Sequence, residues 1–134
     1  MPIVVDSWIA ARWCLPDESS AIADLTLGLL RDTELLVPRL YWFEICNVLL
    51  VGERRKRINL DQVQRGLVQI DSLPTIVDDV CGEELLMMLA RKHGLTADDA
   101  AYLEVASRRG LPLATLDRKL ARAAEAESVP LISA

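Results

Sequence analysis

The chain has few of the residues on which the common catalytic and metal sites depend. Its 134 residues include one histidine and three cysteines with no C-x-x-C pair, which excludes an ordinary zinc site. It contains no G-x-S-x-G sequence, and its six glycines form no phosphate-cradling loop. Hydrolases with a nucleophile elbow and phosphate-loop nucleotide hydrolases are therefore excluded.

Aromatic residues are also scarce, and the 20 acidic residues outnumber the 15 basic ones. Phe, Trp and Tyr total six residues in a chain that is 51% hydrophobic, so Val, Leu, Ile and Ala must fill the core. The formal net charge of −5 argues against binding nucleic acid by bulk attraction, but it allows an acidic pocket beside local basic patches. A mean hydropathy of +0.22 indicates an apolar surface kept for a partner.

Cysteine usage and the chain start bear on location. Cys14, Cys46 and Cys81 each lie in an apolar stretch, which predicts buried free thiols and a reducing cytoplasm. Asp6 comes too early for a signal peptide. Glu44 breaks the longest apolar run, so no segment is predicted to span a membrane. We expect one cytoplasmic domain over residues 1–134.

Short apolar segments alternate with helical ones. The pattern predicts strands at residues 2–5, 34–38, 74–77, 111–116 and 129–133. It predicts a turn at 16–20 and helices at about 20–30, 38–57, 60–70, 81–93, 97–109 and 118–126. Pro38 is expected in the first turn of its helix, Asn59 at a cap, and Gly94 and Gly110 just past helix ends. This alternation predicts a doubly wound α/β domain, a five-stranded parallel sheet with helices on both faces.

Four acidic residues stand where apolar segments end or are interrupted. Asp6 follows IVV and Asp117 follows LATL, while Glu44 lies within LYWFEICNVLL and Asp99 within LTADDAAYL. An ionised carboxylate in apolar surroundings is costly unless it is paired or binds a cation. Asp6 and Asp117 follow strands, and Glu44 and Asp99 lie near helix starts, so all four can converge where the winding reverses. Gathered carboxylates without a local base predict a divalent metal.

Each carboxylate also has a structural explanation. Asp6 and Asp117 could cap the helices that follow them. Asp99 comes three residues after Thr96, as in a capping box. Glu44 is harder to explain this way, because its helical face is mostly apolar. Agreement among the four favours a shared site.

The sequence leaves the roles of two basic segments open. The run Arg54–Arg57 is either a solvated helix end or a contact for a phosphate backbone. Arg118, Lys119 and Arg122 come just after Asp117 and are better placed for contacts near the chemistry. His93 is interpreted as a helix end matched to the dipole.

Three segments together resemble a known family. They are IVVDSWIAARWCLPDE, VPRLYWFEICNVLL and LTADDAAYLEVASRRGLPLATLDRKLARAA. They resemble the PIN domain of VapC-type toxins, the ribonuclease partners in type II toxin–antitoxin pairs. The resemblance implies the strand order 3-2-1-4-5 and an acidic quartet of Asp6, Glu44, Asp99 and Asp117. It also implies that Thr115 and Asn47 support the site.

The chain departs from that family pattern at two places. Relatives often carry a small hydroxyl residue two positions after the first aspartate, where this chain has Trp8, and Ser7 lies one position early. Relatives commonly carry an aromatic residue before the third acid, where this chain has Asp98. A role for Ser7 or Asp98 in the site is left open.

The expected activity is metal-dependent cleavage of RNA. Mg²⁺ or Mn²⁺ prefers oxygen ligands, so Asp6 and Asp99 are expected as principal ligands and Asp117 as a ligand through water or at a second metal. Glu44 would orient or deprotonate the attacking water. A receiver-type phosphoacceptor domain and a non-catalytic interaction module are the alternatives.

The expected partners are an RNA substrate, an antitoxin whose tail lies in the crevice, and a second copy of the chain. A partner's arginine is expected to occupy the metal's place among the carboxylates. Two helix faces are predicted to stay apolar and uncovered. They carry Trp42, Ile45 and Leu49 on one helix, and Leu60, Val63 and Leu67 on the next.

Overall fold

The computed structural model describes residues 1–15 and 20–133. In this part of the chain the sheet has four strands, β1 (Ile3–Val5), β2 (Leu35–Pro38), β3 (Thr75–Asp78) and β4 (Leu113–Ala114). Their order is β3-β2-β1-β4, and every pair is parallel. The strands β1, β2 and β4 are buried throughout, as continuous apolar runs in a parallel sheet should be.

Seven helices lie within the described residues. They are α1 (Ser7–Cys14), α2 (Ala21–Leu29), α3 (Leu40–Arg54), α4 (Leu60–Asp71), α5 (Glu83–His93), α6 (Ala97–Arg109) and α7 (Arg118–Ala126). The predicted caps are confirmed. Asn59 and Gln62 form a capping box at α4. Gly94 and Gly110 follow α5 and α6 with φ of 62° and 64°, a left-handed conformation that glycine adopts without steric cost.

The winding direction reverses between β1 and β4. The chain passes from β1 through β2 to β3 at one edge, and then returns to the other side of β1. Right-handed crossovers therefore place α1–α4 on one face and α5–α6 on the other. In agreement, α1 packs against α2, α3 and α4, while α6 packs against α5, α7, β1 and β2. The carboxyl ends of β1 and β4 thus form the crevice expected in a doubly wound sheet.

Three details of the predicted fold are wrong. The expected fifth strand is only a single bridge from Leu113 to Leu131, since β4 offers two residues for pairing and Pro130 lacks an N–H to donate. Pro38 ends β2, and the helix begins two residues later. The helix α1, which follows β1 with only Asp6 between them, is missing from the predicted helices, although Asp6 was considered as a helix cap. The predicted turn lies mostly outside the described residues.

The exposure of two cysteines differs from the prediction. All three cysteines are unpaired, but Cys46 and Cys81 are exposed, so their predicted burial is wrong. Burial raises the pKa of the half-buried Cys14 to about 11, which disfavours its thiolate. Among the described helices, none has the length and apolar character needed to cross a membrane.

A cluster of paired charges joins α6 to the end of β3. We call Asp78, Glu104, Arg108 and Arg109 the β3 cluster. Arg108 donates to Glu104 at 2.6 Å and to Asp78 at 3.0 Å, and Arg109 donates to Asp78 at 3.1 Å. Burial alone would raise the pKa of Asp78, but hydrogen bonds from the arginines bring it below its ordinary value. The cluster fixes the helix that carries Asp99.

Candidate functional site

Asp6 and Asp117 lie at the reversal of winding, as the sequence predicted. The Asp6 N–H donates to the Ala114 carbonyl at 3.2 Å, directly across the paired ends of β1 and β4. Asp6 caps α1 by accepting from the Ile9 N–H at 3.0 Å. Asp117 caps α7 by accepting from the N–H groups of Lys119 and Leu120. Asp6 and Asp117 therefore cap helices and also lie together at the neighbouring strand ends.

Asp6 is the most buried member of the acidic quartet. It is 3% exposed, and its second oxygen accepts a hydrogen bond from the Thr115 hydroxyl. Burial raises the pKa of Asp6 to about 6, against the Thr115 and Ile9 hydrogen bonds and with added repulsion from Asp99 and Asp117. In the absence of a cation, its ionised form is held in an unfavourable environment.

Asp99 faces the same charges from α6. Its N–H donates to the Thr96 hydroxyl at 3.2 Å, which caps the helix. Burial and then the charge of Asp117 raise its pKa, while Lys119 acts in the opposite direction. Asp6 and Asp99 thus come from different elements, and the charge of Asp117 acts on both.

Glu44 is joined to α6 by a tyrosine that the sequence did not single out for a role in the site. The Tyr102 hydroxyl donates to Glu44 Oε1 at 2.6 Å, and the nearby Ser7 side chain favours the ionised form of Glu44. Burial raises the pKa of Glu44, and the charges of Asp98 and Asp99 add to that effect. Tyr102 follows Asp99 by one helical turn, and this spacing is the signal that could have indicated its position.

The supporting residues occupy different positions around the quartet. Thr115 is buried, and its hydroxyl accepts from the Asp117 N–H at 3.1 Å while it donates to Asp6. Thr115 therefore links the two strand ends. Asn47 and Arg118 are exposed, on α3 one turn after Glu44 and at the first residue of α7.

The chain matches a known protein family over most of its length. A PIN-domain model matches residues 3–126. The chain belongs to the PIN-domain family. Over 130 residues it is 31% identical to ribonuclease VapC3 of Pyrobaculum aerophilum, covering 90% of this chain and 93% of that protein.

Solved structures share the PIN fold of this chain. PAE2754 from Pyrobaculum aerophilum has a TM-score of 0.73 at 24% identity, covering 98% of this chain and 91% of that one. FitAcB from Neisseria gonorrhoeae has a TM-score of 0.67 at 14% identity, with 98% and 96% coverage. VapBC2 from Rickettsia felis, bound to a DNA fragment from their promoter, has a TM-score of 0.66 at 18% identity, with 98% and 97% coverage. At these identities the likeness concerns the fold.

The donor set of this PIN domain suits a hard divalent cation held partly by water. All the candidate donors are carboxylate oxygens, which Mg²⁺ and Mn²⁺ prefer. Within residues 1–15 and 20–133, no three His, Cys, Asp or Glu side chains are arranged to enclose a metal ion. Mg²⁺ commonly uses one or two protein carboxylates and keeps several waters. The raised pKa of Asp6 and of Asp99 shows that their ionised forms are disfavoured. A bound cation would offset this cost.

Asp98, the departure from the family pattern next to Asp99, is exposed. It borders a cavity with Glu44, Phe43 and Asn47. Its charge reaches both Glu44 and Asp99. Asp98 therefore adds negative potential at the rim of the site, whereas Asp99 lies within it.

Proposed function

We propose that this PIN domain is a metal-dependent endoribonuclease that acts as the toxin of a toxin–antitoxin pair. The observation that carries the proposal is the meeting of Asp6 and Asp117 at the paired ends of β1 and β4, where Thr115 bonds to both and the charge of Asp99 acts on Asp6. A relative 31% identical over nearly the whole chain is named a ribonuclease, which supports RNA as the substrate.

Asp6 and Asp99 would hold Mg²⁺ or Mn²⁺, with Asp117 contributing through water or at a second ion. When bound, the cation would neutralise the carboxylates and stabilise charge on a phosphodiester oxygen. Thr115 holds Asp6 toward the crevice, and Lys119 lowers the negative potential beside Asp99. Arg118, beside Asp117, is assigned to the phosphate of the substrate.

Glu44 is assigned as the residue that orients or deprotonates the attacking water. Its raised pKa brings its basicity closer to neutral pH, which is favourable for a general base. Tyr102 fixes one of its oxygens, so the other is left to direct a water. Ser7 supports the same carboxylate from α1.

The assignment to a toxin includes an antitoxin and a second copy of the chain as partners. One predicted contact face must be corrected, because Ile45 and Leu49 are buried. The exposed apolar side chains of α3 are Phe43, Leu50 and Val51. On α4, Leu60 is exposed, as predicted, but Val63 and Leu67 are half-buried against the core, and the other exposed apolar side chain is Val68. We assign Phe43, Leu50, Leu60 and Val68 to the protein partners.

The alternatives are less well supported. In a receiver-type domain strands 1 and 3 are neighbours, whereas here β2 lies between them. The aspartate at the end of β3, Asp78, is paired with two arginines. A non-catalytic module is separated from an enzyme only by an activity assay.

The deciding experiment is cleavage of a mixed pool of RNA by purified protein, with Mg²⁺ or Mn²⁺ and with a chelator. We expect endonucleolytic products only when metal is present. The same ions should raise the melting temperature, since a ligand that binds the folded state stabilises it. Absence of both cleavage and metal-dependent stabilisation would refute the proposal, and cleavage that persists in chelator would refute its metal dependence.

A further inference from the structure

A groove between α1 and α3 lies beside the acidic quartet. A cavity of about 220 Å³ is lined by Trp8, Asn47, Val51, Arg55 and Arg57 among others. We call these five residues the Trp8 groove. One wall is the indole of Trp8, which is 53% exposed. Arg55 and Arg57 of the basic run Arg54–Arg57, which the proposed catalytic site does not use, also line it.

The Trp8 groove is continuous with the candidate site. Asn47 borders both this groove and the cavity that contains Glu44 and Asp98. Glu44, Asn47 and Val51 on α3 and Arg55 at its C-cap follow at spacings of three, four and four, so they form one stripe along the helix. At about 1.5 Å of rise per residue, this stripe is about 16 Å long. That length accommodates a few nucleotides of a single strand.

The charges and surfaces of the groove complement a single nucleic-acid strand. An exposed indole offers a flat face on which an unpaired base can stack, and arginines contact the backbone phosphates. The half-buried Val48 and the exposed Val51 give the groove an apolar wall beside the indole. The acidic quartet repels phosphates, and the chain carries a net charge of −5. Attraction for RNA must therefore come from a local basic segment such as this one.

We propose that the Trp8 groove is the binding subsite for nucleotides that flank the scissile bond of a single-stranded RNA. One base stacks on Trp8, and the next phosphates contact Arg55 and Arg57. This inference rests on the proposed ribonuclease function and adds to it the path of the strand. It also gives a role to Trp8, the residue at which this chain departs from its family.

The first test measures binding of the full chain to a labelled single-stranded oligoribonucleotide of mixed sequence, in chelator so that no cleavage occurs. Trp8→Ala should weaken binding by roughly five- to 150-fold, the range found when a stacking aromatic is removed. Trp8→Phe keeps a stacking ring and should remain within a few-fold of the parent protein. Melting curves of both variants establish that they are folded.

The second test compares two arginines of the same run. Arg55→Gln should lower the slope of log affinity against log salt by about 0.7, the value for one phosphate contact on a single strand. Arg54→Gln removes the same charge one residue earlier, on a side chain that is exposed and not among those that line the groove. It should leave the slope nearly unchanged. Equal effects of the two variants would show bulk attraction and overturn the subsite.

Kinetics separate this proposal from the proposed function. If the protein cleaves RNA, Trp8→Ala should raise KM and leave kcat nearly unchanged. Cleavage by the parent with an unaltered KM in Trp8→Ala overturns the subsite and leaves the ribonuclease in place. Binding that depends on Trp8 and Arg55 without cleavage sustains the subsite and refutes the enzyme. Loss of inhibition by a protein partner, with RNA binding intact, assigns the groove to that partner and overturns the proposal.

Discussion

Two groups of buried carboxylates in this PIN domain differ in how their charge is balanced. In the β3 cluster, Asp78 and Glu104 are nearly inaccessible and paired with Arg108 and Arg109. The pKa of Asp78 is accordingly lowered. In the acidic quartet, Asp6 is equally buried but faces further carboxylates, and its pKa is raised to about 6.

The contrast separates a structural role from a functional one. A buried carboxylate that is paired contributes to holding elements together, and removing its partner is costly. A carboxylate whose neighbours are also acidic costs stability in its ionised form, an arrangement that is typical of functional sites. Burial alone does not distinguish the two groups, whereas the sign of the neighbouring charge does.

The largest expected effect is on activity in the quartet. Asp99→Asn should lower RNA cleavage by at least about 10²–10³-fold, the cost typical of removing one group that stabilises charge in a transition state. Its effect on stability without metal should be small, because it relieves repulsion. Asp98→Asn is the matched control, since Asp98 is exposed, and it should keep activity within a few-fold. Full activity in Asp99→Asn would show that Asp99 has only a structural role at the start of α6.

The largest expected loss of stability is in the β3 cluster. Arg108→Ala leaves Asp78 and Glu104 buried with less compensation, so it should lower the free energy of unfolding by about 3 kcal/mol. Chemical denaturation measures this value. The control is Arg65→Ala, which breaks the exposed pair with Asp61 on α4 and should cost about 0.3–0.5 kcal/mol. Similar losses in both variants would contradict the role assigned to burial.

Replacing Asp6 is expected to raise the free energy of unfolding, the opposite of the effect in the β3 cluster. Its pKa in the folded chain, about 6, lies above the ordinary value of 3.8, so the folded state binds the proton more tightly. Without metal, stability should therefore fall as pH rises from about 4 through 6. Asp6→Asn, which can still cap α1, should flatten this fall and raise the free energy of unfolding at pH 7 by up to about 3 kcal/mol. A destabilised variant with unchanged pH dependence would show that Asp6 is compensated after all.

The smallest expected effect concerns Tyr102. Tyr102→Phe removes the hydrogen bond that lowers the pKa of Glu44, so the acidic limb of the pH–rate profile should move to higher pH. Activity at neutral pH should fall severalfold. Tyr41→Phe is the control, because the buried Tyr41 hydroxyl has no hydrogen-bond partner among the described residues. An unmoved profile in Tyr102→Phe would remove Glu44 from the proton-transfer role.

Local patterns in the sequence anticipated much of this structure. Some features depend only on residues that are close in the sequence, so they could be predicted from it. They are the apolar runs at β1 and β2, the capping box at Asn59 and the glycines after α5 and α6. The acids after strands 1 and 4 were correctly expected to meet. The fifth strand failed because its pairing depended on the length of β4, which no local pattern reveals.

The sequence by itself determined the alternation of elements, the apolar core and the placement of four acids at the ends of apolar segments, because these depend on periodicity and on neighbouring residues. Only the tertiary structure decided which carboxylates are balanced, because the partners come from distant elements. Asp78 meets Arg108 across 30 positions and Asp6 meets Thr115 across 109. The same fold brings Trp8 and the arginines at the end of α3 into one groove. Electrostatic energy depends on distance in space, which the order of residues leaves open until the chain has folded.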